Sequence, residues 1–165
     1  MNRLLYWLQG RLPLRIISDD GAPYLERAYL GTLFGVRFYL HRFVGDDPAR
    51  GLHDHPWPWA FSLILFGRYL EETRRGPRIV RWWNWLTGDS FHRVVLVDGP
   101  VWSLFAHRAA YVKPWGFLKS GSFGTANFHP VAQGPGGGSS AGEWWKTCPH
   151  GRFERRRAPL EGITE

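Results

Sequence analysis

The stretch Gly51-Leu52-His53-Asp54-His55-Pro56-Trp57 contains two histidines separated by a single residue. On a β-strand, residues in this spacing point to the same face, so both imidazoles can reach one metal ion. Asp54 points to the opposite face in this arrangement and is excluded as a ligand. One strand cannot surround an ion, so a further ligand must come from another strand.

His92 is the candidate for that further ligand. It lies in the segment Gly88–Val94 (GDSFHRV), directly before an apolar run that is typical of a strand. Glu71 follows the turn at Gly67 and is either an additional ligand or a solvated edge residue beside Glu72. The predicted metal ligands are therefore His53, His55 and His92, with Glu71 left open as a rival or fourth ligand.

Around this segment the spacing of apolar runs is typical of an all-β domain. Short apolar and aromatic runs recur roughly every 8–12 residues and are separated by Gly, Pro and Asp, as in sandwiches and barrels. The runs are Ala28–Leu33, Val36–Phe43, Ala60–Phe66, Tyr69–Thr73, Ile79–Trp83, Val94–Val97, Val101–Ala106 and Trp115–Leu118.

This pattern divides the chain into three parts. Residues 1–23 are predicted to form an N-terminal helix or arm, and residues 24–132 a single β-barrel. Residues 133–165 comprise a Gly-rich linker and an irregular C-terminal tail, in which the arginines from Arg152 to Arg157 are expected to be solvated.

The histidine segment resembles the first motif of the cupin superfamily, in which two histidines one residue apart precede a glutamate and then a glycine. His53, His55 and Gly67 match, whereas Ala60 occupies the glutamate position and is expected to face the metal cavity without contributing a ligand. Residues 88–92 are similar to the second motif, although the glycine lies one residue further from His92 and Leu96 replaces the usual asparagine. The aromatic segment Trp115-Gly116-Phe117 is similar to one in uncharacterised bacterial and phage cupin-like proteins.

The resemblance implies a cupin-type β-barrel, a double-stranded β-helix or jelly roll, with a divalent metal ion. Fe(II) is favoured, and Ni, Zn, Mn or Cu also suits imidazole ligands. A three-histidine site without a carboxylate is similar to that of the thiol dioxygenase branch of the cupins. It implies a mononuclear non-haem iron oxygenase or dioxygenase acting on a small thiol or acid. The alternatives are a non-enzymatic binding protein with a structural metal and a metal-dependent isomerase or lyase.

Three polar residues on strand-like segments are candidates for contacting the small-molecule substrate. Arg42 and Arg93 could each bind a carboxylate or phosphate through two parallel hydrogen bonds, and Tyr69 has the strand parity of Glu71. For each arginine, a salt bridge at the barrel surface is at least as good an interpretation. His41 is expected to be a satisfied barrel residue, a support for the metal ligands or a substrate contact.

Composition restricts the function classes. The formal charge is +7, but the arginines are dispersed, so a nucleic-acid partner is not expected. No apolar run approaches the roughly 20 residues of a membrane span, so no membrane partner is expected. With the single cysteine Cys148 and no recognisable signal peptide, the sequence predicts a cytoplasmic protein, and a homodimer stays open.

Overall fold

The computed structural model describes residues 1–120, 126–131 and 142–160. Its elements in these ranges are one α-helix, twelve β-strands and two short 3-10 turns at Trp144–Lys146 and Gly151–Phe153. They are α1 (Asn2–Gln9), β1 (Leu14–Asp19), β2 (Ala22–Leu33), β3 (Val36–Phe43), β4 (Leu52–His53), β5 (Trp59–Phe66), β6 (Tyr69–Thr73), β7 (Arg78–Val80), β8 (Trp83–Thr87), β9 (His92–Leu96), β10 (Val101–Arg108), β11 (Gly116–Ser120) and β12 (Ala126–Pro130).

The strands form two antiparallel six-stranded sheets. The first has the order β1-β2-β3-β10-β5-β8 and the second the order β12-β11-β4-β9-β6-β7. From β4 to β11 the chain passes repeatedly from one sheet to the other, which is the connectivity of a jelly roll. The expected fold class, an all-β jelly roll with a short N-terminal helix, is confirmed.

The run Ile79–Trp83 is interrupted in the structure. Ile79 belongs to β7 in the second sheet, whereas Trp83 begins β8 in the first sheet. Arg81 and Trp82 make the connection between the two sheets, and the run therefore serves two strands.

Two glycines with positive φ lie at the start of the histidine segment and in the turn after β5. Gly51 has φ +112°, and a β-carbon there would clash with the carbonyl oxygen of Leu118 on β11. Gly67 has φ +80° in the turn between β5 and β6 and packs closely against the Pro100 carbonyl. Both positions favour glycine because other residues rarely adopt positive φ.

Between the sheets, large side chains form the core on either side of the histidines. One cluster comprises Tyr39, Trp57, Ala60, Leu86, Phe105 and Trp144, and another comprises Ile64, Tyr69, Val80, Val94 and Val101. A third cluster lies on the outer face of the first sheet, where Leu5 and Tyr6 of α1 pack over Leu40 and Trp102.

Arg157 anchors the last described segment, residues 142–160, to the rest of the protein. The Arg157 side chain donates to the Gln9 side chain and the Tyr6 carbonyl, and only 7 % of it is exposed. Glu26, which is fully buried, accepts a hydrogen bond from the Ala158 amide and pairs with Arg42. The expectation of a wholly solvated arginine run was wrong for Arg157, because Glu26 and the end of α1 provide buried partners. The predicted linker falls largely on residues 132–141, outside the described residues.

No helix in the described ranges combines the length and apolarity needed to cross a bilayer.

Candidate metal centre

The three predicted histidines converge between two neighbouring strands of the second sheet. β4 pairs with β9, and His53 stands directly opposite His92 in that register. β4 ends at His53, and the next residue, Asp54, is held by the backbone of Gly116, whose amide donates to the Asp54 carboxylate. His55 thus lies just beyond the strand, yet it reaches the same cluster.

The ring nitrogens are close enough to bind one ion. One candidate ligand atom from each of His53, His55 and His92 can be chosen so that all three lie within 4.8 Å of one another. The Nε2 atoms of His55 and His92 are 3.0 Å apart. Two nitrogens that each lie about 2.1 Å from one ion, at a right angle, are about 3.0 Å apart, so the donor set fits a divalent metal.

Glu71 orients the His92 ring by accepting a hydrogen bond from Nδ1, the ring nitrogen that faces away from His55. Its Oε1 accepts from His92 Nδ1 at 2.9 Å and from Asn84 Nδ2 at 2.6 Å, while its Oε2 accepts from Arg78 Nε at 2.7 Å. Because a carboxylate can only accept, the proton of His92 is held on Nδ1 and Nε2 presents a lone pair toward His55. The structure therefore places Glu71 on the far side of His92 from the cluster, and not among the converging nitrogens.

Ionisation favours metal binding over a cluster of cations. Burial lowers the pKa of His53 and His55 well below the usual range, and the neighbouring imidazoles lower it further. Burial alone would raise the pKa of Glu71, but hydrogen bonds with His92, Asn84 and Arg78 lower it. At neutral pH the centre thus offers the neutral imidazoles of His53 and His55. A carboxylate that accepts from His92 adds the second layer that is common around a metal.

A cavity of about 190 Å³ opens beside the histidines. A cavity of roughly 150 Å³ in another protein is large enough to bind benzene, so this one can accept a small organic molecule. Its wall is mostly apolar and aromatic, and its ionisable residues apart from the three histidines are Tyr24, Arg27, His41, Asp47, Arg50, Tyr69 and Tyr111.

Arg27 and His41 form a hydrogen-bonded pair in that wall. They face each other on β2 and β3, and Arg27 Nε donates to His41 Nε2 at 3.0 Å. Burial and the adjacent guanidinium hold the pKa of His41 well below its usual range, so His41 is neutral. Of the interpretations given to His41, the structure shows a satisfied buried histidine at the cavity wall.

Asp47 is the acidic residue of the cavity. Its Oδ2 accepts from the Val94 amide at 2.9 Å and lies 3.9 Å from His53 Nδ1. The sequence offered little warning of this role, because Gly45-Asp46-Asp47-Pro48 has the composition of an ordinary turn.

Of the three candidate substrate contacts, only Tyr69 lines the cavity. Its hydroxyl accepts a hydrogen bond from Asn84. Arg42 lies on the opposite face of β3 from His41, where it binds Glu26 and the carbonyls of Ala158 and Pro159. Arg93 alternates with His92 and pairs with Glu72 outside the cavity. Neither Arg42 nor Arg93 lines the cavity, and Arg27, missed by the sequence analysis, does.

Ala60 faces the interior but does not line the cavity. Its methyl group packs among Trp57, Leu86 and Phe105, and Ser62, two residues further along β5, lines the cavity instead. Trp57 is stacked between His55 and His107, with centroid distances of 4.8 and 3.8 Å. His107 is structural: burial lowers its pKa to about 3, and its Nδ1 donates to the Arg108 carbonyl.

Solved structures share this architecture. A cupin-2 domain protein from Rhodospirillum rubrum superposes with a TM-score of 0.53 at 18 % identity, over 66 % of this chain and 76 % of the other. The chain has the cupin fold. A cupin 2 conserved barrel domain protein from Rhodopseudomonas palustris gives a TM-score of 0.50 at 13 % identity, over 65 % and 79 %.

A DMSP lyase structure matches this cupin barrel with a TM-score of 0.52 at 14 % identity, over 66 % of this chain and 63 % of the lyase chain. No protein-family model and no curated protein matches the sequence. At these identities the similarity establishes the fold, and function has to be argued from the site.

Proposed function

We propose that this cupin is a mononuclear non-haem iron enzyme, an oxygenase or dioxygenase that acts on a small anionic organic substrate, either an acid or a thiol. The proposal rests chiefly on one observation: three converging imidazoles border a small, largely apolar cavity that also contains a buried arginine. His53, His55 and His92 would hold the ion, which would supply a binding position for dioxygen and for the substrate.

The residues around the ion would favour an anionic substrate, limit the access of water and orient the substrate. Three imidazole ligands supply no negative charge directly to a divalent ion, which favours a further, anionic ligand such as a carboxylate or thiolate. Trp57 and Phe105 line the cavity with apolar surface and limit the access of water. Arg27 presents a guanidinium group to the same cavity, where it can orient an anionic group through directed hydrogen bonds.

A metal and nitric oxide experiment tests this function. The protein, purified without added metal, is assayed for metal content, loaded anaerobically with Fe(II), and exposed to nitric oxide with and without a panel of thiols and organic acids. We expect an iron–nitrosyl spectrum that a substrate perturbs, and oxygen uptake with that same compound. A protein that takes only zinc in the cell, or that never binds nitric oxide, would instead support a binding protein with a structural metal.

Arg27 gives a second test, specific to the substrate class. Replacement of Arg27 by glutamine should weaken the binding of a small carboxylate to the metal-loaded protein about ten-fold or more, because a charge-assisted hydrogen bond is lost. Metal content should stay the same. Arg68→Gln is the matched control, since Arg68 forms an exposed ion pair with Asp98 outside the cavity. Equal affinities in the two variants would remove Arg27 from substrate recognition.

A further inference from the structure

The outer face of the first sheet is only partly covered. On the side of β1, β2 and β3, α1 and the last described residues pack over it and bury Leu40 and Trp102. On the side of β5 and β8 the same face continues without a covering element among the described residues. There Leu63 stands opposite Trp83, and Phe61 stands opposite Trp85.

This open half carries unusually large exposed side chains. Trp83 is 62 % exposed and Trp85 51 %, and Leu63 and Phe66 are exposed as well. Contiguous aromatic exposure on this scale indicates a surface that contacts another apolar phase or partner.

Helix α1 extends the apolar surface. Its inward side, Leu5 and Tyr6, packs on the sheet, but its outward side also carries apolar residues, with Leu4 65 % and Trp7 52 % exposed. A helix that is apolar on both sides is normally covered on both sides.

The helix borders the exposed strands directly. Trp102 Nε1 donates to the Asn2 side chain at the start of α1, and Trp102 pairs in register with Phe66 of β5. The helix and the strands therefore form one surface. We call this surface the aromatic face; it consists of Leu4, Trp7, Leu63, Phe66, Trp83 and Trp85.

Several exposed arginines lie beside the aromatic face. Arg3 and Arg11 are exposed on or next to the helix, and Arg81 lies two residues before Trp83. The segment from Arg74 to Thr87 has four arginines and no acidic residue. Within the described residues, Arg3 and Arg81 take part in no ion pair. A second copy related by a two-fold axis near β8 would bring like charges together, so charge complementarity favours an anionic partner.

We propose that the aromatic face docks peripherally on an anionic lipid surface. Tryptophan is favoured at the boundary between water and acyl chains, where its ring is apolar and its N–H can hydrogen-bond. Arginines around it are attracted to anionic headgroups. A broad face assembled from a helix and a sheet suits a planar surface, and this mode of binding needs no spanning segment.

Vesicle co-sedimentation tests the proposal. The full chain is mixed with vesicles of phosphatidylcholine alone and with vesicles containing one-third phosphatidylserine. We expect binding to the anionic vesicles that weakens as salt is added. The double substitution Trp83→Ser and Trp85→Ser should lower the partition coefficient about ten-fold or more, because two interfacial anchors are lost. Phe128→Ser, which alters an exposed aromatic residue of β12 at the far edge of the other sheet, should leave it unchanged.

A charge variant keeps the test independent of the tryptophans. Arg3→Glu with Arg81→Glu changes only exposed side chains and should also reduce binding to anionic vesicles, without altering metal content. No binding to anionic vesicles at low salt would overturn the proposal. A dimer that dissociates in the tryptophan variant would overturn it in favour of a second copy. Retention on immobilised polyaspartate without vesicle binding would overturn it in favour of an acidic polypeptide.

Discussion

Replacement of His53 and His55 together by alanine should abolish stoichiometric binding of a divalent metal. These residues supply two of the three nitrogens that converge on one point, and His92 alone would remain. A single imidazole on a rigid strand has no second donor to hold an ion against competition from water. The measurement is metal content by elemental analysis after loading and gel filtration, with circular dichroism to verify the fold.

The matched control replaces histidines of the same chain that lie elsewhere. His129→Ala with His150→Ala removes two exposed imidazoles and should leave the metal content of the protein at the wild-type level. Full retention of metal by the His53/His55 variant would contradict the site. So would equal loss in both double variants, which would indicate non-specific binding by surface histidines.

The three histidines could be grouped from the sequence because local geometry and strand pairing together leave few alternatives. The spacing of His53 and His55 directs both rings to one side, and the position of His92 before an apolar strand made it the natural partner. The register of β4 against β9 then brings His92 directly opposite His53. Their convergence was predicted correctly, and their binding of iron stays a proposal.

The polar residues around the histidines were harder to predict, because their roles depend on pairings between distant strands. The sequence makes Arg42 a candidate substrate contact, yet the parity of β3 points His41 toward the cavity and Arg42 away from it. Arg27 could have been found only by knowing that β2 pairs with β3 in a register that places it opposite His41. A sequence pattern fixes alternation along a strand, but not which face is buried or which strand lies alongside.

The role of Glu71 was also hard to predict, because its partners come from other strands. Its alternation with Tyr69 along β6 correctly indicated that both side chains lie on one face of the strand. The alternative interpretation, that Glu71 is a solvated edge residue, was wrong, since Glu71 is fully buried. Its partners Arg78 and Asn84 come from β7 and β8, two strands in different sheets. The hydrogen bond between the Glu71 carboxylate and His92 Nδ1 therefore becomes apparent only in the folded structure.

Replacement of Glu71 by glutamine should therefore weaken metal binding by about 10- to 100-fold, the usual effect of removing a group that orients a metal ligand. Every hydrogen-bonding neighbour of the carboxylate, namely His92 Nδ1, Asn84 Nδ2 and the Arg78 guanidinium, is a donor. An amide cannot accept from all of them, and its own N–H groups would face other donors. His92 would lose both its fixed tautomer and the charge that makes its Nε2 a better donor to the metal.

Competition with a chromogenic chelator measures this change, and the neighbouring Glu72→Gln provides the control. Glu72 is adjacent in sequence but pairs with Arg93 outside the cavity, so its variant should bind metal as tightly as the wild type. Because Glu71 is buried, its variant should also unfold at a lower temperature without metal. The informative quantity is thus the metal affinity of the folded fraction, together with the gain in melting temperature on metal addition. Wild-type affinity in a folded Glu71→Gln protein would show that His92 needs no carboxylate behind it, and would reduce Glu71 to a structural anchor for Arg78 and Asn84.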